Sequence, residues 1–179
     1  MPSRDSTTGA EAQRPSQAAE IDSVPWVVHG LVSGALGALV VAVFFLLFDL
    51  WNGRPFWTPA ALGSALFLGE PLAAGAGAPA VLVIGYTAVH GAVFAGLGLV
   101  SALLAATASR RPTSALAAAA LKTALLFACF EAVFLGFEAL FPPGHPGRLA
   151  AGAVAVANLL AAAAMAVYLV RLARPPALR

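Results

Sequence analysis

The sequence has very little charge and almost no cysteine. Only 10% of its 179 residues are charged, whereas a soluble domain contains about 25%. The single cysteine, Cys129, allows neither a disulfide nor a cysteine-rich metal site within one chain. No block of basic residues indicates nucleic-acid binding. These absences exclude a soluble enzyme, a disulfide-stapled secreted domain and a nucleic-acid-binding protein.

Familiar catalytic and cofactor motifs are also missing. The sequence contains no HExxH, GxSxG, P-loop or GxGxxG segment, and no Glu-x-x-His repeat typical of di-metal bundles. Ligation of one haem by His29 and His90 is disfavoured, because the helical rise separates them by about 10 Å in depth. The sequence therefore favours a non-enzymatic protein and indicates no particular cofactor.

Long apolar runs dominate the sequence, which is 60% hydrophobic. Crossing a hydrocarbon core of about 30 Å takes roughly 20 helical residues. Four runs are long enough, and we predict an all-α integral membrane protein with four antiparallel transmembrane helices in a bundle. The predicted spans are 26–50, 80–107, 115–141 and 149–172. They lie within a transmembrane domain of residues 23–173, between a disordered tail (1–22) and a C-terminal tail (174–179).

The first connector contains a fifth, shorter helical signal. Thr58 and Pro59 are typical of an N-cap followed by the first helical position. The helix they begin, 59–68, is too short to cross a membrane, so we expect it to be interfacial or re-entrant. The connector's aromatic residues, among them Trp51 and Trp57, suit anchoring at headgroup level.

The basic residues predict the orientation, because cytoplasmic segments are richer in Lys and Arg. Seven Arg residues flank the spans on the side of the two tails and the second connector, against two on the other side. Both termini are therefore expected to be cytoplasmic. The Ala-rich composition and the RPFWTP and YTAVH segments resemble those of small bacterial inner-membrane proteins, which predicts that location.

Rows of small residues predict which helix faces pack together. Gly30, Gly34 and Gly37 share a face of the first span, and Gly91, Ala95, Gly98 and Ala102 share one of the second. In the third span, an Ala-rich face carrying Glu131 and Glu138 is expected to meet other helices. Part of its Phe row, from Phe127 to Phe141, is expected to meet lipid or a partner. Short turns predict contact of the second span with the third, and of the third with the fourth.

A polar layer at the predicted bilayer centre is the main candidate site. His90, Glu131 and Asn158 lie at similar depths in three spans, and Thr87 shares the face of His90. The simplest interpretation is a structural role, in which a protonated Glu131 is hydrogen-bonded to His90 or Asn158 and fixes the register of the helices. The alternatives are a proton relay, a metal site, or a contact reserved for another subunit.

Four charged residues are expected near the non-cytoplasmic edge. Asp49, Arg54, Glu138 and Arg148 could form an ion-paired rim, and the alternative is a substrate-binding vestibule.

Two functions follow from these features. The first is a non-enzymatic accessory or structural subunit of a larger membrane complex, because extramembrane domains and catalytic motifs are lacking. The alternative is an autonomous transporter, proton relay or metal-binding bundle that uses His90, Glu131 and Asn158. The expected partners are the lipid bilayer and either other membrane-protein subunits or further copies of the chain, with no nucleic acid.

Overall fold

A computed structural model describes residues 14–73, 75–107, 114–139 and 151–172. Within these ranges the regular structure is entirely α-helical. The five helices are α1 (Arg14–Trp51), α2 (Trp57–Leu68), α3 (Ala80–Thr107), α4 (Ala115–Glu138) and α5 (Ala151–Leu172).

Four of these helices are long and apolar enough to cross a membrane, while α2 is shorter. The candidate spans are Trp26–Trp51, Ala80–Leu104, Ala115–Glu138 and Ala151–Arg171. They agree with the four predicted runs, and the predicted fold class of an all-α membrane bundle is confirmed. The chain is therefore a multi-pass membrane protein.

The helix boundaries differ from the predicted ones at a few places. Helix α1 begins at Arg14, so residues 14–22 of the expected disordered tail are helical. This segment contains Ala, Gln and Glu, which are good helix formers. The predicted end of the third span, at 141, and the predicted start of the fourth, at 149, lie outside the described residues, as do residues 1–13 and 173–179.

The start of α2 is capped differently from the prediction. The helix begins at Trp57, one residue before Thr58, and its N-cap is Phe56 with φ 61° and no side-chain capping bond. The carboxylate of Asp49, near the end of α1, caps the helix instead. It accepts hydrogen bonds from the backbone N–H of Thr58 (2.7 Å) and from the Thr58 hydroxyl (2.6 Å). A side chain outside the helix thus satisfies a free N–H of its first turn.

Most of the first two turns of α2 are buried, whereas its last three residues, 66–68, are exposed. Residues 60–65 are all buried, and six consecutive helical residues cover every side of the helix. Gly63 contacts the backbone of Leu82 in the first turn of α3, where a Cβ at residue 63 would lie 2.6 Å from the Leu82 carbonyl oxygen. The first connector is thus packed against α3.

The helices pack side by side in the order α4, α5, α1, α3, α2. Helix α1 is central, since it packs against both α3 and α5. Both pairs are antiparallel. Between α1 and α3, for example, Gly30 contacts Leu99 and Gly34 contacts Ala95. The expected α4–α5 contact is present. The expected close packing of α3 on α4 is absent from the described ranges.

Glycines make the α1–α3 contact possible, as predicted. Gly34 lies against the backbone of Phe94, and Gly98 lies against the backbones of Gly30 and Gly34, so a Cβ at either position would clash. Gly91, predicted to be part of the same row, is exposed and has open space around its Cα. The rows of small residues therefore serve mainly to pack helices of the same chain against each other.

The prediction for the faces of α4 is wrong for its small residues, although Glu131 does face another helix, as expected. Phe130 is buried and Phe127, Phe134 and Phe137 are half-buried, whereas the small residues of the Ala-rich face point outward. Those exposed residues are Ala117, Ala120, Ala124 and Ala128. Large rings rather than small residues therefore line the space between α4 and α3.

Candidate functional site

The wide separation of α3 and α4 leaves a lateral groove between them. Its volume is about 520 Å³, within the range of small-molecule sites. Helices α3 and α4 form its walls, α1 and α5 form its floor, and α2 closes one end. We call this end, where α1 ends and α3 begins, the α2 end. Lining residues on α3 run from Val83 to Leu97, a length of about 21 Å at the helical rise.

A bridge of aromatic rings joins the two walls deep in the groove. The rings of Phe94 and Phe130 lie 5.1 Å apart between centroids, and both side chains are buried. They belong to a hydrophobic cluster with Leu126 and Met165 that fills the bundle beyond the groove. This cluster joins side chains of α3, α4 and α5.

His90 lies on the α3 wall, about 15 Å along the helix from its start. Its Nε2 is 3.2 Å from the backbone carbonyl oxygen of Ala38 on α1. Because a carbonyl only accepts hydrogen bonds, this contact requires the proton on Nε2. The imidazole stacks between the rings of Tyr86 and Phe94, at centroid distances of 5.9 and 4.8 Å. The histidine is thus fixed in orientation by α1 and by its own helix.

Glu131 and Asn158 form a separate pair between α4 and α5. The Asn158 Nδ2 donates a hydrogen bond to Glu131 Oε1 over 2.9 Å. Asn158 is buried and lines the groove, while Glu131 is half-buried and is not among the groove's lining residues. This contact is the one that the structural interpretation of the layer anticipated.

The predicted polar layer is therefore divided. His90 bonds to the backbone of α1, and Glu131 bonds to Asn158. Thr87 is exposed and donates to the Val83 carbonyl of its own helix (2.7 Å), so it does not join the layer. In the described part of the chain, no three His, Cys, Asp or Glu side chains lie close enough together to hold a metal ion.

The structure corrects the prediction of an ion-paired rim at Asp49 and Arg54. Asp49, only 3% exposed, binds Thr58 through both carboxylate oxygens rather than Arg54. The Arg54 guanidinium lies 4.5 Å from the centroid of the Trp57 ring, a cation–π contact. Asp49 and Glu138 both line the α2 end of the groove. Arg148 lies outside the described residues.

Sequence reasoning missed the part played by Tyr86. The side chain lines the groove one turn before His90. The YTAVH segment does place both rings on one helix face, since they are four residues apart. That the face is the wall of a groove depends on the separation of α3 and α4, which no local pattern encodes.

Two further polar features lie toward the opposite end of the bundle. The Nδ1 of His29 is 3.2 Å from the Tyr168 hydroxyl, which links α1 to α5. Ser33, one turn from His29, is completely buried, and its hydroxyl has no partner among the described residues. These side chains lie outside the groove.

No family model, curated protein or solved structure matches this chain. The fold and the groove define its class by themselves: a multi-pass, all-α membrane protein with a laterally placed, mainly apolar cavity.

Proposed function

We propose that the protein is a non-enzymatic membrane bundle that holds an apolar molecule, taken up from the lipid, in the groove between α3 and α4. The observation that supports this proposal most is the groove itself. Its walls are almost entirely hydrocarbon, yet His90 and Asn158 place polar atoms inside it. The proposal develops the autonomous alternative in the form of a lipophilic solute, because His90 and Glu131 bind different partners and no three-ligand metal cluster occurs among the described residues.

Blocking the groove tests this function. Val93 lines the groove and Val100, two turns later on α3, does not, although both are exposed. Small molecules that remain bound after purification in mild detergent are extracted and counted per chain by mass spectrometry. We expect about one apolar molecule in the wild type and in Val100→Trp, and a large loss in Val93→Trp. Equal contents in all three proteins would overturn the proposal.

A second candidate, the accessory subunit of a larger complex, is favoured by the outward Ala row of α4. Small residues let helices approach closely in lipid, where there is no hydrophobic drive for association. The row Ala117, Ala120, Ala124 and Ala128 has no helix against it in the described structure. We expect its partner to be an apolar transmembrane helix of another membrane protein.

The mass of the particle from the native membrane tests this candidate. The control variant is Ala92→Leu, on the exposed face of α3. The candidate is supported if the wild type and Ala92→Leu purify in a stoichiometric complex and Ala124→Leu does not. A particle that contains only this chain, or a complex that tolerates Ala124→Leu, contradicts it.

The proposed location is a bacterial inner membrane with both ends of the chain in the cytoplasm. Its support is the count of seven Arg against two, which places the α2 end of the groove on the outer side. We predict that a fluorescent protein fused after Arg179 matures, whereas a periplasm-dependent phosphatase fused there stays inactive. An active phosphatase at this position would show that the C-terminal end faces the periplasm and would contradict the proposed orientation.

A further inference from the structure

Three polar side chains in the groove keep hydrogen-bonding atoms without a partner among the described residues. They are the Nδ1 of His90, the hydroxyl of Tyr86, and the Oδ1 and second amide hydrogen of Asn158. Hydrocarbon cannot satisfy such atoms, and leaving them unpaired is costly. A molecule that fills the groove is therefore expected to bring a polar group to this level.

The geometry of His90 specifies part of that group's chemistry. Nε2 carries the proton that the Ala38 carbonyl accepts, so in the neutral imidazole Nδ1 is a pure acceptor. It requires a donor from the ligand. A ketone, quinone, ester or ether oxygen only accepts and would leave Nδ1 unpaired. A hydroxyl group donates to Nδ1 and also accepts from Tyr86 or Asn158.

The charges lining the groove restrict the ligand further. Both charged residues that line it, Asp49 and Glu138, are acidic, and neither Lys nor Arg lines it within the described residues. An anionic headgroup would therefore find no cationic side chain to pair with among the described lining residues. Apart from a few polar side chains the rest of the lining is apolar, and it extends about 10 Å along α3 on either side of His90, which suits a chain that can also leave the groove laterally.

We propose that the groove binds a neutral long-chain alcohol. Its hydroxyl lies at the level of His90 and donates to Nδ1, and its hydrocarbon chain lies between α3 and α4. This inference rests on the proposed function, since it names the class of molecule that the groove holds.

A matched pair of probes tests the donor directly. Hexadecan-1-ol and 1-methoxyhexadecane share the chain and the oxygen, but only the alcohol has a hydrogen to donate. Binding of each to the purified protein is measured by native mass spectrometry, with Val93→Trp as the reference for non-specific uptake. We expect the wild type to bind the alcohol about fivefold more tightly, the value of one hydrogen bond.

Substitutions in the wall locate the effect. His90→Phe keeps an aromatic ring and removes Nδ1, so the preference for the alcohol is expected to vanish. Tyr86→Phe removes only a hydroxyl and is expected to weaken alcohol binding about threefold while leaving a preference over the ether. Equal binding of the alcohol and the ether by the wild type would overturn the inference. So would an undiminished preference of His90→Phe for the alcohol.

The results separate failure of the inference from failure of the proposed function. If both probes bind equally to the wild type and both are lost in Val93→Trp, the groove is a binding site but not one for an alcohol. If neither probe binds above the Val93→Trp level, the groove holds no chain molecule and both proposals fail.

Discussion

At the scale of single residues, the polar side chains of this protein bind mainly backbone groups and one another. Asp49 caps a helix to which it does not belong, His90 binds a backbone carbonyl of a neighbouring helix, and Glu131 binds an amide. Lipid offers such groups no hydrogen bonds, so leaving them unpaired is costly. The sequence shows which residues are polar and how deep they lie, but the choice of partner depends on helix rotation. That is why the division of the layer into two separate contacts could not be predicted from the sequence.

The Asp49–Thr58 pair is predicted to stabilise the α1–α2 connection. Asp49→Ala removes two hydrogen bonds to a buried carboxylate and is expected to cost about 3 kcal/mol, and Thr58→Val about 1.5 kcal/mol. The two costs are not expected to add, because the hydroxyl bond is common to both. Free energies of unfolding in detergent, measured for both single variants and the double variant, check this. Additive costs would show that the two side chains act independently.

The glycine at the α1–α3 crossing gives a second prediction. In Gly98→Ala the new methyl group meets the backbones of Gly30 and Gly34, which cannot yield without moving a helix, at a cost of about 1 to 3 kcal/mol. Gly96→Ala, half a turn away, meets nothing within 4 Å and is expected to cause no loss of stability. The unfolding temperatures of the two variants measure this difference in stability. Equal stability would contradict the close approach of α1 and α3.

At the scale of the elements, helix existence and length followed from the sequence far better than helix orientation. Apolar length alone located four spans, because a membrane sets the required number of residues. The facing of α4 was predicted incorrectly, because small residues were taken to mark its packed side. Because α3 and α4 stay apart, the Phe rings of α4 line the space between them and its Ala row turns outward.

The attachment of α4 gives a third prediction. In the described structure α4 packs closely only on α5, and Glu131–Asn158 is a hydrogen bond between these two helices. Glu131→Leu is expected to cost about 1 kcal/mol, a usual value for interhelical bonds in membranes. Glu131→Gln keeps an acceptor and is expected to stay within about 0.5 kcal/mol of the wild type.

The control for this prediction is the double variant Glu131→Leu with Asn158→Leu. It leaves neither partner unpaired, so it is expected to recover part of the loss. Unfolding free energies in the same detergent measure all three proteins. If Glu131→Gln costs as much as Glu131→Leu, the carboxylate has a role that hydrogen bonding to Asn158 does not explain.

At the scale of the whole molecule, the order α4, α5, α1, α3, α2 explains the groove. Helix α1 lies in the centre and joins two pairs, α3 with α2 on one side and α5 with α4 on the other. In the described structure α3 and α4 meet through side chains such as Phe94 and Phe130. Short connectors alone suggested that consecutive spans would pack, but the glycines of α1 favour α3 and leave α4 on the far side of α5. This order could not be derived from the sequence because it depends on the relative strength of several contacts.

The central claim is that the space between α3 and α4 is a binding groove, and a cryo-EM map of the protein in lipid nanodiscs tests it most directly. The account predicts elongated density between the two helices, running from the level of Thr58 past His90 to the Phe94–Phe130 contact. A map in which Val93 and Val133 touch, so that the two walls close on each other without space for a chain, would contradict it.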